Sequence, residues 1–184
     1  MTIFISGTQN SGKSLLAEKL ATQTGDSIRL YLATMKLCDE EGIKRVEKHR
    51  KQREGKGFIT VEKQTRITEI ISDLKRPEDT TVLLECVSNL VGNEMRDVTK
   101  RAELVTGDKP DLGKFADEVA EDINKLSKAV HNLIIVTNEY PAQDEGYDDE
   151  TRLYVRLLSM VNSRIRAFVD VVREIPSRHP EQNT

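Results

Sequence analysis

An apolar, β-branched run, Thr2-Ile3-Phe4-Ile5-Ser6, leads directly into Gly7-Thr8-Gln9-Asn10-Ser11-Gly12-Lys13-Ser14, and Leu15, Leu16, Ala17 and Leu20 then open a helical pattern. Strand, glycine-bounded loop and helix, in that order, are the context that gives the short pattern G-x-x-x-x-G-K-S structural meaning. Gly7 and Gly12 let the backbone turn its N–H groups inward around an anion, where a side chain would obstruct it. Lys13 can then reach the β and γ phosphates of a nucleoside triphosphate, Ser14 offers a hydroxyl to Mg²⁺, and the new helix directs its positive end at the same charge. A glycine-containing turn with no ligand is the plain alternative. The flanking strand and helix weigh against it.

The rest of the chain alternates strand and helix signals. Ile28–Ala33 reads as a second strand, Ile59–Glu62 as a short one, Thr80–Leu84 as a fully apolar strand ending at Glu85, and Leu133–Thr137 and Val169–Ile175 as two more. Ile67, Ile70, Ile71 and Leu74 have helical spacing, closed by Pro77. Leu112, Phe115, Ala116, Val119, Ile123, Leu126 and Val130 mark the clearest helix. Another helix is expected up to about Phe168. The charged stretches Asn93–Asp111 and Pro141–Glu150 read as mobile excursions, too polar to pack in a core. Strands apolar on both faces imply a mostly parallel sheet with helices on both sides, an α/β fold of the P-loop kind. One domain over residues 1–176 is expected, with a disordered tail over 177–184.

Composition narrows the partners. The net charge of −3 argues against broad nucleic-acid binding, and no apolar stretch approaches the length of a membrane span. The chain enters its first strand without a basic leader, so a soluble cytoplasmic protein is expected. Cys38 and Cys86 make no metal or disulfide pattern. Cys86, following an apolar run, reads as a buried reduced thiol. One basic block interrupts the acidic background: Lys44, Arg45, Lys48, Arg50, Lys51, Arg53 and Lys56, with His49 inside it. Glu85 ends a parallel strand at the edge where such sheets bind ligands, which makes it the candidate second oxygen for Mg²⁺. A buried acid satisfied by backbone N–H groups is the alternative there.

The order of elements beyond the loop carries a resemblance. Leu30-Tyr31-Leu32-Ala33-Thr34, Arg45-Val46-Glu47-Lys48-His49-Arg50, Leu83-Leu84-Glu85-Cys86, Asn93, Val136-Thr137-Asn138-Glu139, Met160-Val161-Asn162 and Ala167-Phe168-Val169-Asp170-Val171 occur in sequence. Together they resemble the bifunctional adenosylcobinamide kinase / adenosylcobinamide-phosphate guanylyltransferase family of cobalamin biosynthesis. The resemblance implies a RecA-like fold, a homotrimer, and ATP and GTP as substrates with Mg²⁺. It also implies a corrinoid acceptor, adenosylcobinamide, which is first phosphorylated and then receives GMP through a guanylylated histidine. By position that histidine is His49. The expected nucleotide contacts are Gly7 to Ser14 (Gly7, Thr8, Gln9, Asn10, Ser11, Gly12, Lys13, Ser14), with Arg45, Arg50, Arg53, Glu62 and Glu85. Lys13 and His49 are the expected catalytic residues, and Ser14 and Glu85 the metal ligands.

The chemistry of His49 stands beside the resemblance. A neutral imidazole is a good nucleophile near neutral pH and a good leaving group once protonated, and surrounding cations would stabilise departing pyrophosphate. A solvated histidine on a charged helix is the plain alternative for such a residue. The P-loop alone leaves two other functions open: a diverged small-molecule kinase without guanylylation, and a nucleotide-dependent regulatory protein.

Overall fold

The computed structural model describes residues 1–36, 47, 51, 53–97, 111–141 and 145–176. Among these, six strands form one parallel sheet: β1 (Thr2–Gly7), β2 (Ile28–Ala33), β3 (Phe58–Glu62), β4 (Thr80–Glu85), β5 (Asn132–Val136) and β6 (Val171–Ile175), in the order β3-β2-β4-β5-β1-β6. The N-terminal strand is therefore inserted between β5 and β6. All six of its residues are buried, which is why the sequence needed an unbroken apolar run there.

Alternation along the strands divides the core in two. Phe4, Leu30, Leu32, Val82, Leu84, Leu133 and Ile135 face one side; Ile3, Ile5, Tyr31, Leu83, Ile134 and Val136 face the other. Helix α1 (Lys13–Gln23) covers the second side through Ala17 and Ala21, both fully buried and small enough to bring the helix close to the sheet. Three helices cover the first side: α2 (Val87–Arg96), α3 (Leu112–Ala129) and α4 (Asp149–Arg166). Each fully buried side chain such as Phe4 or Leu133 contributes about 1.5–3 kcal/mol relative to exposure.

Several expectations change. The inner strands are apolar on both faces, but the edge strands β3 and β6 are partly exposed, Ile59 at 57% and Val172 at 38%. Each has a neighbour on one side only. The Ile67–Leu74 pattern forms a 3-10 helix over Ile67–Asp73, not an α-helix. It is confined between Arg66, in the left-handed region, and extended Leu74, and its buried residues Ile67 and Ile70 are three apart, the 3-10 repeat. Pro77 then opens a second short 3-10 turn, Pro77–Asp79.

The stretch expected to be mobile from Asn93 begins inside α2. Glu94 and Met95 are buried, and the Glu94 carboxylate accepts the Arg66 N–H at 2.9 Å, so a charged residue is held in the interior by a specific partner. Likewise the acidic run after Pro141 ends as a helix start. Asp148 caps α4 by accepting the Thr151 N–H at 2.7 Å, and Asp149 and Glu150 lie in the first turn, where the helix dipole favours them. Residues 98–110, 142–144 and the tail 177–184 lie outside the described residues.

At the amino ends of the strands, Asp26 is buried and accepts from Thr81 Oγ1 (2.6 Å) and Asn132 Nδ2 (2.9 Å), with His131 Nδ1 at 2.7 Å. Burial alone would raise this carboxyl, but the hydrogen bonds from Thr81, Asn132 and His131 outweigh it and hold its pKa below the ordinary value. This cluster ties β4 and β5 to the end of α1. The opposite, carboxyl ends are left to the site.

Candidate active site

The loop between β1 and α1 is shaped by two glycines with different problems. At Gly7 a Cβ would stand 2.5 Å from the Ile175 carbonyl oxygen and 3.2 Å from Ile175 Cβ, so β6 leaves no room for one. At Gly12 a Cβ would meet nothing within 4 Å, but φ is +96°, a region that residues with side chains rarely adopt. The expectation that a side chain would obstruct both turns therefore holds for Gly7. At Gly12 the requirement is conformational. Asn10 also sits at positive φ (60°), which asparagine tolerates.

Gly12 is the N-cap of α1, and no side chain caps that helix among the described residues. Its first N–H groups are left to face the loop. The Lys13 ammonium folds back to donate to the Thr8 carbonyl and, at 3.4 Å, to Ser11 Oγ. Burial lowers the Lys13 pKa, against the opposing influence of Cys86, Glu85 and Glu139. Beside it, Ser14 Oγ donates to Glu85 Oε1.

Glu85 is placed by a double brace. Thr34 Oγ1 donates to the Cys86 carbonyl at 2.7 Å and accepts the Cys86 N–H at 2.8 Å, while the Thr34 N–H donates to the Glu85 carbonyl. Asn93, on α2, donates to the Thr34 carbonyl at 2.7 Å and to that of Gln64 at 3.1 Å. Cys86 is buried and free, as expected, and burial raises its thiol pKa. A carboxylate and a hydroxyl thus meet beside a lysine at the mouth of an uncapped helix, an arrangement suited to a nucleotide's polyphosphate.

The sequence as a whole matches the family model "Cobinamide kinase / cobinamide phosphate guanyltransferase" over residues 3–176. The chain belongs to this family. It is 33% identical over 180 residues to the bifunctional adenosylcobalamin biosynthesis protein CobU of Escherichia coli (strain K12), covering 94% of this chain and 93% of that protein. To the protein of the same name from Salmonella typhimurium (strain LT2) it is 28% identical, with the same coverage of 94% and 93%. Among solved structures, one ATPase domain superposes with a TM-score of 0.52 at 14% identity, over 94% of this chain and 68% of that one. That likeness is one of fold: a parallel α/β sheet with helices on both faces.

In this cobinamide kinase / guanyltransferase family member, the Asn138-Glu139 pair lies on the other flank of the loop. The Glu139 N–H donates to the Gly7 carbonyl at 3.0 Å, and Asn138 N donates to Ser88 Oγ at 2.8 Å. Arg166, at the end of α4, donates to Glu139 Oε1 at 2.6 Å, to Ser6 Oγ at 3.0 Å and to Glu174 Oε1 at 2.7 Å. Asn162 receives a hydrogen bond from Thr137 Oγ1 at 2.9 Å and returns one to the Asn138 carbonyl. Asn138, Glu139, Asn162 and Arg166 border a cavity of about 360 Å³.

The remaining expected contacts divide. Arg53 is buried, with its guanidinium carbon 3.4 Å from the centre of the Tyr31 ring and Nη1 without a hydrogen-bond partner among the described residues. Glu62 is exposed at the end of β3, in register with Ala33, which is itself opposite Glu85. His49, Arg45 and Arg50 lie outside the described residues. Arg166 and Ser88 were not among the expected site residues, since an arginine late in an amphipathic helix and a serine after a strand carry no distinguishing spacing. Nor was Tyr31 expected as the seat for Arg53.

Proposed function

We propose that this protein runs two transfers from one phosphate cradle: phosphorylation of adenosylcobinamide, and delivery of GMP from GTP to the resulting cobinamide phosphate through a guanylylated His49. The observation that supports the reading most is the contact of Ser14 with Glu85 beside Lys13, inside a chain that matches this family over residues 3–176. In the kinase step the acceptor hydroxyl oxygen bonds to the γ-phosphorus, the bond to the β–γ bridging oxygen breaks, and the hydroxyl proton is lost. Loop N–H groups and the Lys13 ammonium hold the β and γ phosphates while negative charge shifts to the leaving diphosphate.

In the second step a nitrogen of His49 bonds to the α-phosphorus of GTP and pyrophosphate leaves. An oxygen of cobinamide phosphate then displaces the imidazole, regenerating the histidine. Arg45 and Arg50, flanking His49 in sequence, are the proposed partners of the triphosphate. Arg53, further along the same basic block in sequence, lies over the Tyr31 ring. Glu62, at the carboxyl edge of the sheet, is proposed for the nucleotide's outer side.

Mg²⁺ fits this site. Its expected ligands are hard oxygens, and the Ser14 hydroxyl and Glu85 carboxylate already converge. An Mg²⁺ ion bound there would complete its shell with phosphate oxygens and water. When bound it would neutralise phosphate charge. By family resemblance the assembly is a homotrimer, which light scattering would test.

The deciding experiment is incubation with α-labelled GTP followed by denaturation. Acid-labile, alkali-stable label on the protein is the expected result. His49→Ala and His49→Asn should both abolish the label while sparing phosphorylation of cobinamide. Wild-type protein that phosphorylates cobinamide without taking label would leave a kinase alone.

A further inference from the structure

A second cavity, of about 400 Å³, opens between α2 and the first turn of α4, at the end of β2. We propose that it is the acceptor site, taking one amide-bearing edge of the corrinoid and its aminopropanol arm. The proposal rests on the cobinamide reading above. Three observations lead to it.

The first is position. Ser88 and Asn89 line the cavity, three and four residues after Glu85, whose carboxylate meets Ser14 of the phosphate loop. Helix α1 covers the opposite face of the sheet, so the end of β4 and the start of α2, Glu85–Ser88, form a shared wall between the phosphate cradle and the cavity. An acceptor arm leaving the cavity over that wall would meet the γ-phosphate from the side away from the loop.

The second is charge. Lys36 and Arg96 are balanced by Asp148 and Glu150. A second polyphosphate would need a net positive lining, whereas a neutral polyamide does not. The third is the chemistry of the walls. Asn89 is half-buried, and its side chain makes no hydrogen bond among the described residues. With the Thr151 hydroxyl it presents both donors and acceptors, the complement of a carboxamide. Met35, Met95 and Tyr154 add apolar surface, the thioethers adapting to an irregular, methyl-bearing ring. Tyr154 is fixed by its hydroxyl, which donates to the Ser88 carbonyl at 3.1 Å.

The test uses Asn89→Ala, Thr151→Ala and the exposed Arg96→Gln, the last chosen because its side chain carries none of the core. Cobinamide binding is read by equilibrium dialysis using the corrin absorbance, with KM for cobinamide and for nucleotide measured separately. The expected result is a roughly tenfold or greater rise in cobinamide Kd and KM for Asn89→Ala and Thr151→Ala. A smaller rise is expected for Arg96→Gln. Labelling by α-labelled GTP without acceptor should be unchanged in all three. Cobinamide binding equal to wild type in all three folded variants overturns the site and leaves the family function intact. Equal losses of nucleotide and cobinamide affinity also overturn it as an acceptor-selective site. Wild-type protein that binds no cobinamide overturns the function together with the site.

Discussion

Replacing the two loop glycines one at a time separates space from conformation as the reason each is glycine. Gly12 has room for a methyl group but sits at φ +96°. Gly12→Ala should therefore cost only the backbone penalty, about 1–2 kcal/mol. Gly12→Asn should recover part of it, because asparagine visits positive φ more readily. Gly7 differs: a Cβ there stands 2.5 Å from the Ile175 carbonyl oxygen, 3.1 Å from Ser11 Oγ and 3.2 Å from Ile175 Cβ. The nearest obstacle is backbone, so Gly7→Ala must push β6 away or distort the loop, at about 1–3 kcal/mol. Gly7→Asn should be no better than Gly7→Ala, and Ile175→Ala should not rescue it. The assay is urea unfolding at constant m-value. With m of about 2 kcal/mol/M, the midpoint should fall by roughly 0.5–1 M for Gly12→Ala and by a comparable or larger amount for Gly7→Ala. A Gly12→Asn protein no more stable than Gly12→Ala would refute the conformational argument. Rescue of Gly7→Ala by Ile175→Ala would refute the steric one.

Lys13→Ala should reduce phosphoryl transfer roughly a hundredfold, the worth of one strong charge-assisted contact, measured as kcat/KM with cobinamide. Because burial lowers the Lys13 pKa, wild-type nucleotide affinity should begin to fall at a pH below that of an ordinary lysine, and Lys13→Ala should lose this alkaline limb. Glu85→Gln should fold normally by circular dichroism and need severalfold more Mg²⁺ for half-maximal activity; unfolding would instead mark Glu85 as a structural acid. Asp26→Asn should destabilise the protein at neutral pH. Since Asp26 has a lowered folded pKa, its contribution is present above about pH 4, its unfolded value, and is lost as pH falls through the folded value. The stability gap between wild type and variant should thus shrink in acid, and a gap independent of pH would contradict the role given to that carboxylate.

The parallel sheet was legible because its inner strands are buried on both faces and cannot hold an unpaired polar residue mid-strand; Thr80–Glu85 and Asn132–Val136 are near-continuous apolar runs for that reason. What misled was polarity taken as a sign of exposure. Glu94 lies in a stretch read as a mobile excursion, yet it is buried and accepts the Arg66 N–H; Arg53, read as a nucleotide contact, is buried as well, laid on the Tyr31 ring. Neither partner lies close in sequence, so no local pattern announces the pairing. Helix α2 was missed for the same reason: its buried face includes Ser88 and Glu94 among Val87, Leu90, Val91 and Met95. The phosphate loop was legible because backbone geometry dictates its residues one by one. The Thr34–Cys86 brace and the Arg166 network were not, since their geometry depends on which strands become neighbours.

That dependence also explains why the end of the chain belongs to the site. The loop carries no disulfide and is glycine-bounded, so its shape must be imposed from outside. Three contacts do this. The Ile175 carbonyl, in register with Gly7 on β6, blocks one wall. The Glu139 N–H ties the Gly7 carbonyl to the segment after β5. Glu85, at the end of β4, receives the Ser14 hydroxyl. Arg166 links the first two walls by holding Glu139, Glu174 and Ser6 with one guanidinium. Donors fixed in this way need little rearrangement when phosphate charge shifts, the condition under which electrostatic stabilisation favours the transition state over the bound substrate. Residues far apart in the sequence, from Ser6 to Ile175, therefore shape the same short loop.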